Sequence, residues 1–338
     1  NRKKTISRIA TGDYDMVIMT HDNLDMLQMK PETAERFIKA EIAELEAAKM
    51  AAQEANNKKD NRVVKALEKA KARLEARLKE ALDTEGKDDA VYFEETGIDH
   101  IFVDEAHKYK SLPVYTKQDR VKGIPSARSD RATSMQMRTA WLMERNGGRG
   151  VVFATGTPVA NTMAELFTMQ RYLQPQELQA RGIQSFDAWA AQFGDIVTKM
   201  EFTVSGGYKP VSLFSRFVNI PELMQVVRQV MDVRLAKDMP QVVRPKRVDH
   251  VEVAPTSSDL AGLMSELEQR ARNIKKGGDD NMLVICTDGR KGALDMRMLD
   301  ASNEDDPNSK LNKAVNKVLE IHKKRPDVTQ MIFRSEEH

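Results

Sequence analysis

A single cysteine, Cys286, stands in 338 residues. That excludes an internal disulfide framework, and no Cys/His cluster has zinc spacing. In "MLVICT" the cysteine reads as a small buried side chain. Charge of one sign is also lacking: 53 Lys and Arg face 51 Asp and Glu, a net charge of +2. The whole molecule is therefore no basic glove for nucleic acid, and any such partner must be met by local clusters. Aromatic residues make up 6% and are scattered, so no base-stacking platform is visible. No apolar run approaches a membrane span. The opening "NRKKTISRIATGDYD" has basic residues with no apolar stretch behind them, which is not the pattern of a secretory signal. A reducing, intracellular compartment is the expectation.

What is present is a well-solvated globular composition, 31% charged and 41% hydrophobic, at a length that suggests two domains. "YDMVIMTHDNL" reads as a buried strand ending at Thr20-His21, and a strand so early implies a missing upstream partner. From Pro31 to about Asp83 the composition turns to Ala, Glu, Lys, Arg and Leu. Helical spacing puts Ile38, Ile42, Leu45 and Ala52 on one face. It does the same for Val63, Leu67, Leu74, Leu78 and Leu82, and "NNKKDN" between the two sets is a polar turn. The pair reads as an antiparallel coiled-coil hairpin projecting from the body. Its basic residues are either a nucleic-acid contact or a solvated helix face.

Further on, "RATSMQMRTAWLMERN" predicts a helix stopped at Gly147-Gly148. "GVVFATGTP" predicts a buried strand running into a small-residue turn. "NTMAELFTMQRYL" is a helix with Met163, Leu166, Phe167 and Leu173 inward, ended by Pro175. Strand, helix, strand, helix with apolar strands argues for a parallel sheet covered on both faces. "FDAWAAQF" and "PELMQVVRQVMDVRLA" read as helices, and "EFTVSGGYKPVSLF" as a hairpin around Ser205-Gly206-Gly207. A proline-flanked basic linker near Pro240 marks a boundary. Beyond it come a strand through Val248, Val251 and Val253, helices over 258–273 and 309–324, and a last apolar run, "QMIFRS". The domains expected are thus a body over 1–30 and 84–240, a hairpin insert over 31–83, and a second unit over 241–338.

The chemistry lies in "IFVDEAHKYKSL". Charged side chains are seldom buried unpaired, so a core strand ending on Asp104-Glu105 needs a reason. A nucleotide-hydrolysing parallel sheet supplies one, because the carboxyl ends of its strands open onto a ligand crevice. There Asp104 would organise Mg²⁺ on the phosphates of ATP, and Glu105 would orient and deprotonate the attacking water.

"VDEAH" resembles motif II of superfamily 2 helicases and translocases. "FATGTPVANTMAELFTMQRYLQP" is similar to motif III of their Swi/Snf-type branch, with Thr155, Gly156, Thr157, Pro158, Asn161, Glu165-Leu166 and Pro175 in order. "DYDMVIMTH" resembles the motif Ib strand. "RLAKDMPQVVRPKRVDHVEVAPTSSDLAGLMSEL" looks like the bridge into a second RecA-like lobe, and "KLNKAVNKVLEIHKKRPDVTQMIF" like the surroundings of motif IV. More narrowly, the helical insert and "TDGRKGALDMRM" resemble the large helicase–adenine-methyltransferase proteins of phages and conjugative plasmids. Nothing in this chain resembles the methyltransferase itself. DEAH alone is weak evidence, whereas DEAH and TGTP at two strand ends, followed by the Asn and Glu-Leu helix, are specific.

The resemblance implies an α/β fold: a partial RecA-like parallel sheet with flanking helices, a long helical-hairpin insert and the start of a second RecA-like lobe. It implies ATP-driven movement on nucleic acid, most naturally double-stranded DNA, in the cytoplasm of a bacterial host. A methyltransferase domain in the same parent chain fits the same group, and no membrane partner is expected. His107 would hydrogen-bond to the motif III turn and report the nucleotide state. Thr155, Gly156, Thr157, Pro158 and Asn161 would form the coupling motif. Lys108, Lys110, Arg120, Lys122 and Arg128 either line a phosphate-tracking surface or belong to a solvated loop. Gly289, Arg290 and Lys291, read as a turn before a helix, could meet phosphate or be solvated. No G-x-x-x-x-G-K-[ST] phosphate loop occurs, and no motif V or VI with its arginine finger. The chain therefore reads as a fragment that does not hydrolyse ATP by itself. The rival readings are a non-catalytic nucleic-acid-binding or assembly module on a motor-like sheet, and an interaction protein whose working part is the helical arm.

Overall fold

The computed structural model describes residues 2–55, 61–83, 91–118, 121–125, 129–202, 207–241, 248–274 and 280–332. They form two compact units, one of residues 1–199 and 210–234, the other of residues 200–209 and 235–338.

The first unit opens with helix α1 (Arg2–Thr11) and the short α2 (His21–Asp25), which Thr20 caps by accepting from the Asn23 N–H. The long helices α3 (Pro31–Ala55) and α4 (Asn61–Leu82) follow. Strand β1 (Ile101–Val103), a 3₁₀ turn over Ala106–Tyr109 and the two-residue β2 (Val121–Lys122) lead into α5 (Asp130–Arg145). Then come β3 (Val151–Phe153), α6 (Ala164–Leu173), α7 (Pro175–Ala180), α8 (Phe186–Phe193), the strands β4 (Gly194–Phe202) and β5 (Tyr208–Phe217), of which Met200–Phe202 and Tyr208–Lys209 fall in the second unit, and α9 (Ile220–Val227).

Strands β1 and β3 pair in parallel, Ile101 opposite Val151 and Val103 opposite Phe153. One face of this ribbon enters a core of Leu24, Leu27, Phe93, Val103, Tyr109, Met135, Leu142 and Tyr172. Its alternate positions do not. Phe102 is 76% exposed and Val152 48%, so the expectation of a sheet covered on both faces is corrected to one covered face. With a period of two, Phe102 and Val152 must point away from the side that α5 and α6 cover. A second core gathers Phe167, Phe186, Trp189, Phe193, Phe214 and Leu223 from α6, α8, β5 and α9. There β5 lies between β4 and β2 in a three-stranded sheet.

The helical hairpin forms as its periodicity requires. Ile38, Leu45 and Ala52 of α3 meet Val63, Leu67 and Leu74 of α4 in a continuous seam, while Leu82 at its end is exposed. It is not a free arm, however. Tyr115 donates its hydroxyl to the buried Glu41 at 2.7 Å, and Arg171 reaches Glu44 at 3.5 Å. Arg36 pairs with Glu144 at 2.6 Å. The polar turn expected at "NNKKDN" falls largely outside the described residues, as does the tip of the β4–β5 hairpin.

Expected strands are corrected at three places. Among the described residues, 14–20, 248–254 and 330–332 have no ladder partner, and Ile18, Val251 and Met331 are at least three-quarters exposed; the rest of "QMIFRS" lies outside the described residues. An apolar β-branched run becomes a strand only when a neighbour satisfies its N–H and C=O groups.

The second unit is helical: α10 (Ser258–Arg272), α11 (Met282–Leu294) and α12 (Lys310–Lys324). Gly292 lets α10 approach α11, since a Cβ there would lie 2.2 Å from Leu263 Cδ2. Arg270 clamps Asp280 at 2.7 Å and Asp288 at 3.0 Å. Asp295 accepts from the Arg297 N–H and Nε and from the Ser309 hydroxyl, at 2.9–3.0 Å. Gly289, Arg290 and Lys291 lie inside α11, which corrects the expected turn, and Cys286 on the same helix is half-buried rather than buried.

Candidate functional site

The site is built where β1 and β3 end side by side. After Val103 the backbone keeps its ladder for one more step: the Ala154 N–H donates to Val103 O at 2.8 Å, and the Ala106 N–H to Ala154 O at 3.0 Å. Between these two bonds the chain must turn, and Glu105 adopts φ 51, ψ 43 to do it. The left-handed region is strained for a residue with a Cβ, and such strain concentrates at functional sites. The turn sends Ala106 and Tyr109 into the core, both at 0% exposure, and leaves Asp104 and Glu105 exposed at the strand ends. Asp104 Oδ1 accepts from the Glu105 N–H at 2.9 Å, which stiffens the lip.

His107 joins the two turns. Its Nδ1 lies 3.0 Å from Glu105 Oε2 and 3.2 Å from Thr155 Oγ1. A carboxylate only accepts, so the arrangement calls for an Nδ1–H shared between Glu105 and Thr155. Thr155 Oγ1 also accepts from the Thr157 N–H at 3.1 Å, which closes the Thr155–Pro158 turn on itself. Gly156 is exposed with open space where a Cβ would be; folding alone does not demand glycine there.

Behind the lip, helix α6 is stitched to the segment after Asp104-Glu105. Tyr172 places its hydroxyl 2.8 Å from Ala132 O and 3.1 Å from Tyr109 O, and burial raises its pKa well above the ordinary tyrosine value. Arg171 Nη1 donates to Pro113 O at 2.7 Å. Tyr109, pushed up to about 12 by burial, meets His21 Nδ1 at 2.7 Å and so fastens α2 to the same core. Arg138 donates Nη2 to Leu24 O at 2.8 Å and also to Leu27 O, and desolvation pulls its pKa down to about 10.

The basic residues divide. Lys108 and Lys122 are exposed, whereas Arg120 and Arg128 lie outside the described residues. Lys110 is a correction: its side chain is only 10% exposed and pairs with Glu165, itself 8% exposed, at 3.1 Å. It cannot track phosphates, because an internal carboxylate holds it. Glu165 was visible in the sequence as part of a motif, but its partner lies far away along the chain. Tyr109, Tyr172 and Arg138 carried no sequence signal beyond general core composition.

Residues 1–235 match the model of a family described as a probable helicase domain. The chain belongs to that family. The matched region of this helicase domain ends next to Arg234, where the first compact unit ends. The chain is also 25% identical over 294 residues to the "Defense against restriction protein B" of Escherichia phage P1. That alignment takes in 84% of this chain and 12% of the phage protein, so the chain spans a small part of that relative's length. No solved structure matches. Among the described residues no helix is long and apolar enough to cross a membrane.

Proposed function

We propose that this helicase-domain chain carries part of the ATP-hydrolysing centre of a DNA helicase or translocase of the Swi/Snf type. The observation that carries the reading is the parallel pairing of β1 with β3, which brings Asp104 and Glu105 to the same lip as the Thr155–Pro158 turn. In RecA-like sheets nucleotides bind at the carboxyl ends of parallel strands.

Among the described residues no cluster of three or more His, Cys, Asp or Glu could hold a metal ion alone. Mg²⁺ is a hard cation usually held by one or two carboxylates, water and substrate phosphates. Asp104 is the residue to hold it; when bound, the ion neutralises charge developing on the phosphates. Glu105 then orients the attacking water and accepts its proton. His107 donates to Glu105 and to Thr155, so a change in Glu105 is felt at the turn. The open space at Gly156 admits close approach of a ligand to the backbone. Asn161 continues the coupling segment from that turn. On this reading the phosphate-loop lysine and the arginine finger come from elsewhere in the full-length protein, and Lys108 and Lys122 face the nucleic acid. A methyltransferase domain in the same parent and a bacterial host cytoplasm belong to the same proposal.

The test is Mg²⁺-dependent ATP hydrolysis by the full-length protein with and without duplex DNA. Stimulation by DNA supports the motor. Turnover absent under both conditions, with binding of DNA indifferent to ATP, favours a non-catalytic module.

A further inference from the structure

We propose that Lys110 and Glu165 form an internal latch that positions the loop leaving the Thr155–Pro158 turn. Lys110 is thereby a positioning residue linking the segment after Asp104-Glu105 to Asn161. The coupling role rests on the motor reading above; the positioning role does not.

Three donors converge on one oxygen. Glu165 Oε2 accepts from the Ala160 N–H at 2.6 Å, from the Asn161 N–H at 3.2 Å and from Lys110 Nζ at 3.1 Å. Ala160 and Asn161 precede α6 and belong to no helix or strand, so this carboxylate is what holds their amides. Glu165 lies in the first turn of α6, where the helix dipole also favours a negative charge. Lys110 sits directly after the 3₁₀ turn that carries His107, and its own N–H bonds to His107 O at 3.3 Å.

The arrangement does something an apolar pair could not. Replacing a buried ion pair by well-packed hydrophobic groups is often neutral or stabilising, so core stability alone is a poor reason for this one. An apolar side chain at 165 would leave two loop amides unheld. Without the lysine, the carboxylate would be buried without its counter-charge and would turn outward, releasing the loop. The cation thus acts on Asn161 through Glu165. With the part-buried His107–Thr155 bond, the buried Lys110–Glu165 pair adds a second side-chain link between the two segments.

The experiment compares Lys110→Met, Lys110→Arg and Glu165→Gln in the full-length protein. Hydrogen exchange at the amides of Ala160 and Asn161 is expected to quicken about ten-fold or more in Lys110→Met. The laddered amides of Ala106 and Ala154 should keep their wild-type rates. Lys110→Arg should restore protection, since it returns the charge, and Glu165→Gln should fall between. Unchanged exchange at Ala160 and Asn161, or a uniform rise across the domain, overturns the latch. The ratio of DNA-stimulated to basal ATP turnover is measured on the same proteins. That ratio should drop towards one in Lys110→Met and recover in Lys110→Arg; a retained ratio beside a loosened loop overturns the coupling role. A wild-type protein with no ATP turnover sinks the motor reading instead, while the exchange rates still decide the latch.

Discussion

His107 Nδ1 stands 3.0 Å from Glu105 Oε2 and 3.2 Å from Thr155 Oγ1, so a single ring nitrogen touches both turns at the end of the parallel ribbon. His107 is 38% exposed, and its removal should cost the fold little. On the motor reading proposed above, kcat for DNA-stimulated ATP hydrolysis should fall on the order of ten-fold or more in His107→Ala, with the ATP KM little changed. Steady-state kinetics on the full-length protein check this; a loss confined to KM would assign His107 to nucleotide binding instead.

Tyr172 occupies the centre of the packing behind the lip, its hydroxyl between two backbone carbonyls. Tyr172→Phe keeps the ring and deletes that hydroxyl. The expected loss is about 1–2 kcal/mol, read as a lower denaturant midpoint with an unchanged slope. An equal or higher midpoint would show that the hydroxyl contributes nothing there.

The hairpin seam offers a packing test. Leu45 and Leu74 are fully buried between α3 and α4, so Leu74→Ala should destabilise by about 2–5 kcal/mol through lost burial and the cavity left behind. Because Tyr115, Arg36 and Arg171 tie α3 to the body, protection should fall first in α4 and α3 and then in the segment around Tyr115. Hydrogen exchange resolves that order. Loss confined to α4 would mean that the docking contacts carry no strain to the body.

How much of this was legible depends on range along the chain. The helices announced themselves: α3 and α4 follow apolar spacing, and α5 and α10 lie within a few positions of the expected spans, each starting at a capping serine, Ser129 and Ser257. The joining of "VDEAH" to "TGTP" was also readable, because each motif ends its own apolar strand. Residues 14–20 and 248–254 misled, since strands are made by partners distant in sequence and the run itself does not name one. "MLVICTDGRK" misled in two ways: its glycine suggested a turn at Gly289 where the helix α11 runs on, and its apolar run suggested burial for Cys286, which is half-buried. Lys110 was misread because an isolated lysine is surface by default, and only the folded chain brings Glu165 to it. The attachment of the hairpin was hidden in the same way, in side chains that become neighbours only on folding.

In the second unit, Asp295 is 3% exposed and held well below the ordinary carboxylate pKa, first by the Arg297 side chain, with the Arg297 N–H and the Ser309 hydroxyl adding to it. A depressed carboxylate contributes stability above its unfolded pKa and loses it as pH falls. The contribution should therefore be complete above about pH 5 and drain away as pH drops below about 4. Asp295→Asn should lower stability at pH 7 by about 1–3 kcal/mol and flatten the acid limb of the pH–stability curve. An acid limb identical to wild type would show that the carboxylate is not linked to folding.

The most direct measurement concerns Glu105. In the full-length protein with saturating Mg²⁺, ATP and duplex DNA, Glu105→Gln preserves the shape of the turn but cannot take a proton from water. Turnover is expected to fall by about two to four orders of magnitude, with nucleotide binding retained. Turnover by Glu105→Gln equal to that of the wild type would contradict the assignment of this strand-end carboxylate to hydrolysis.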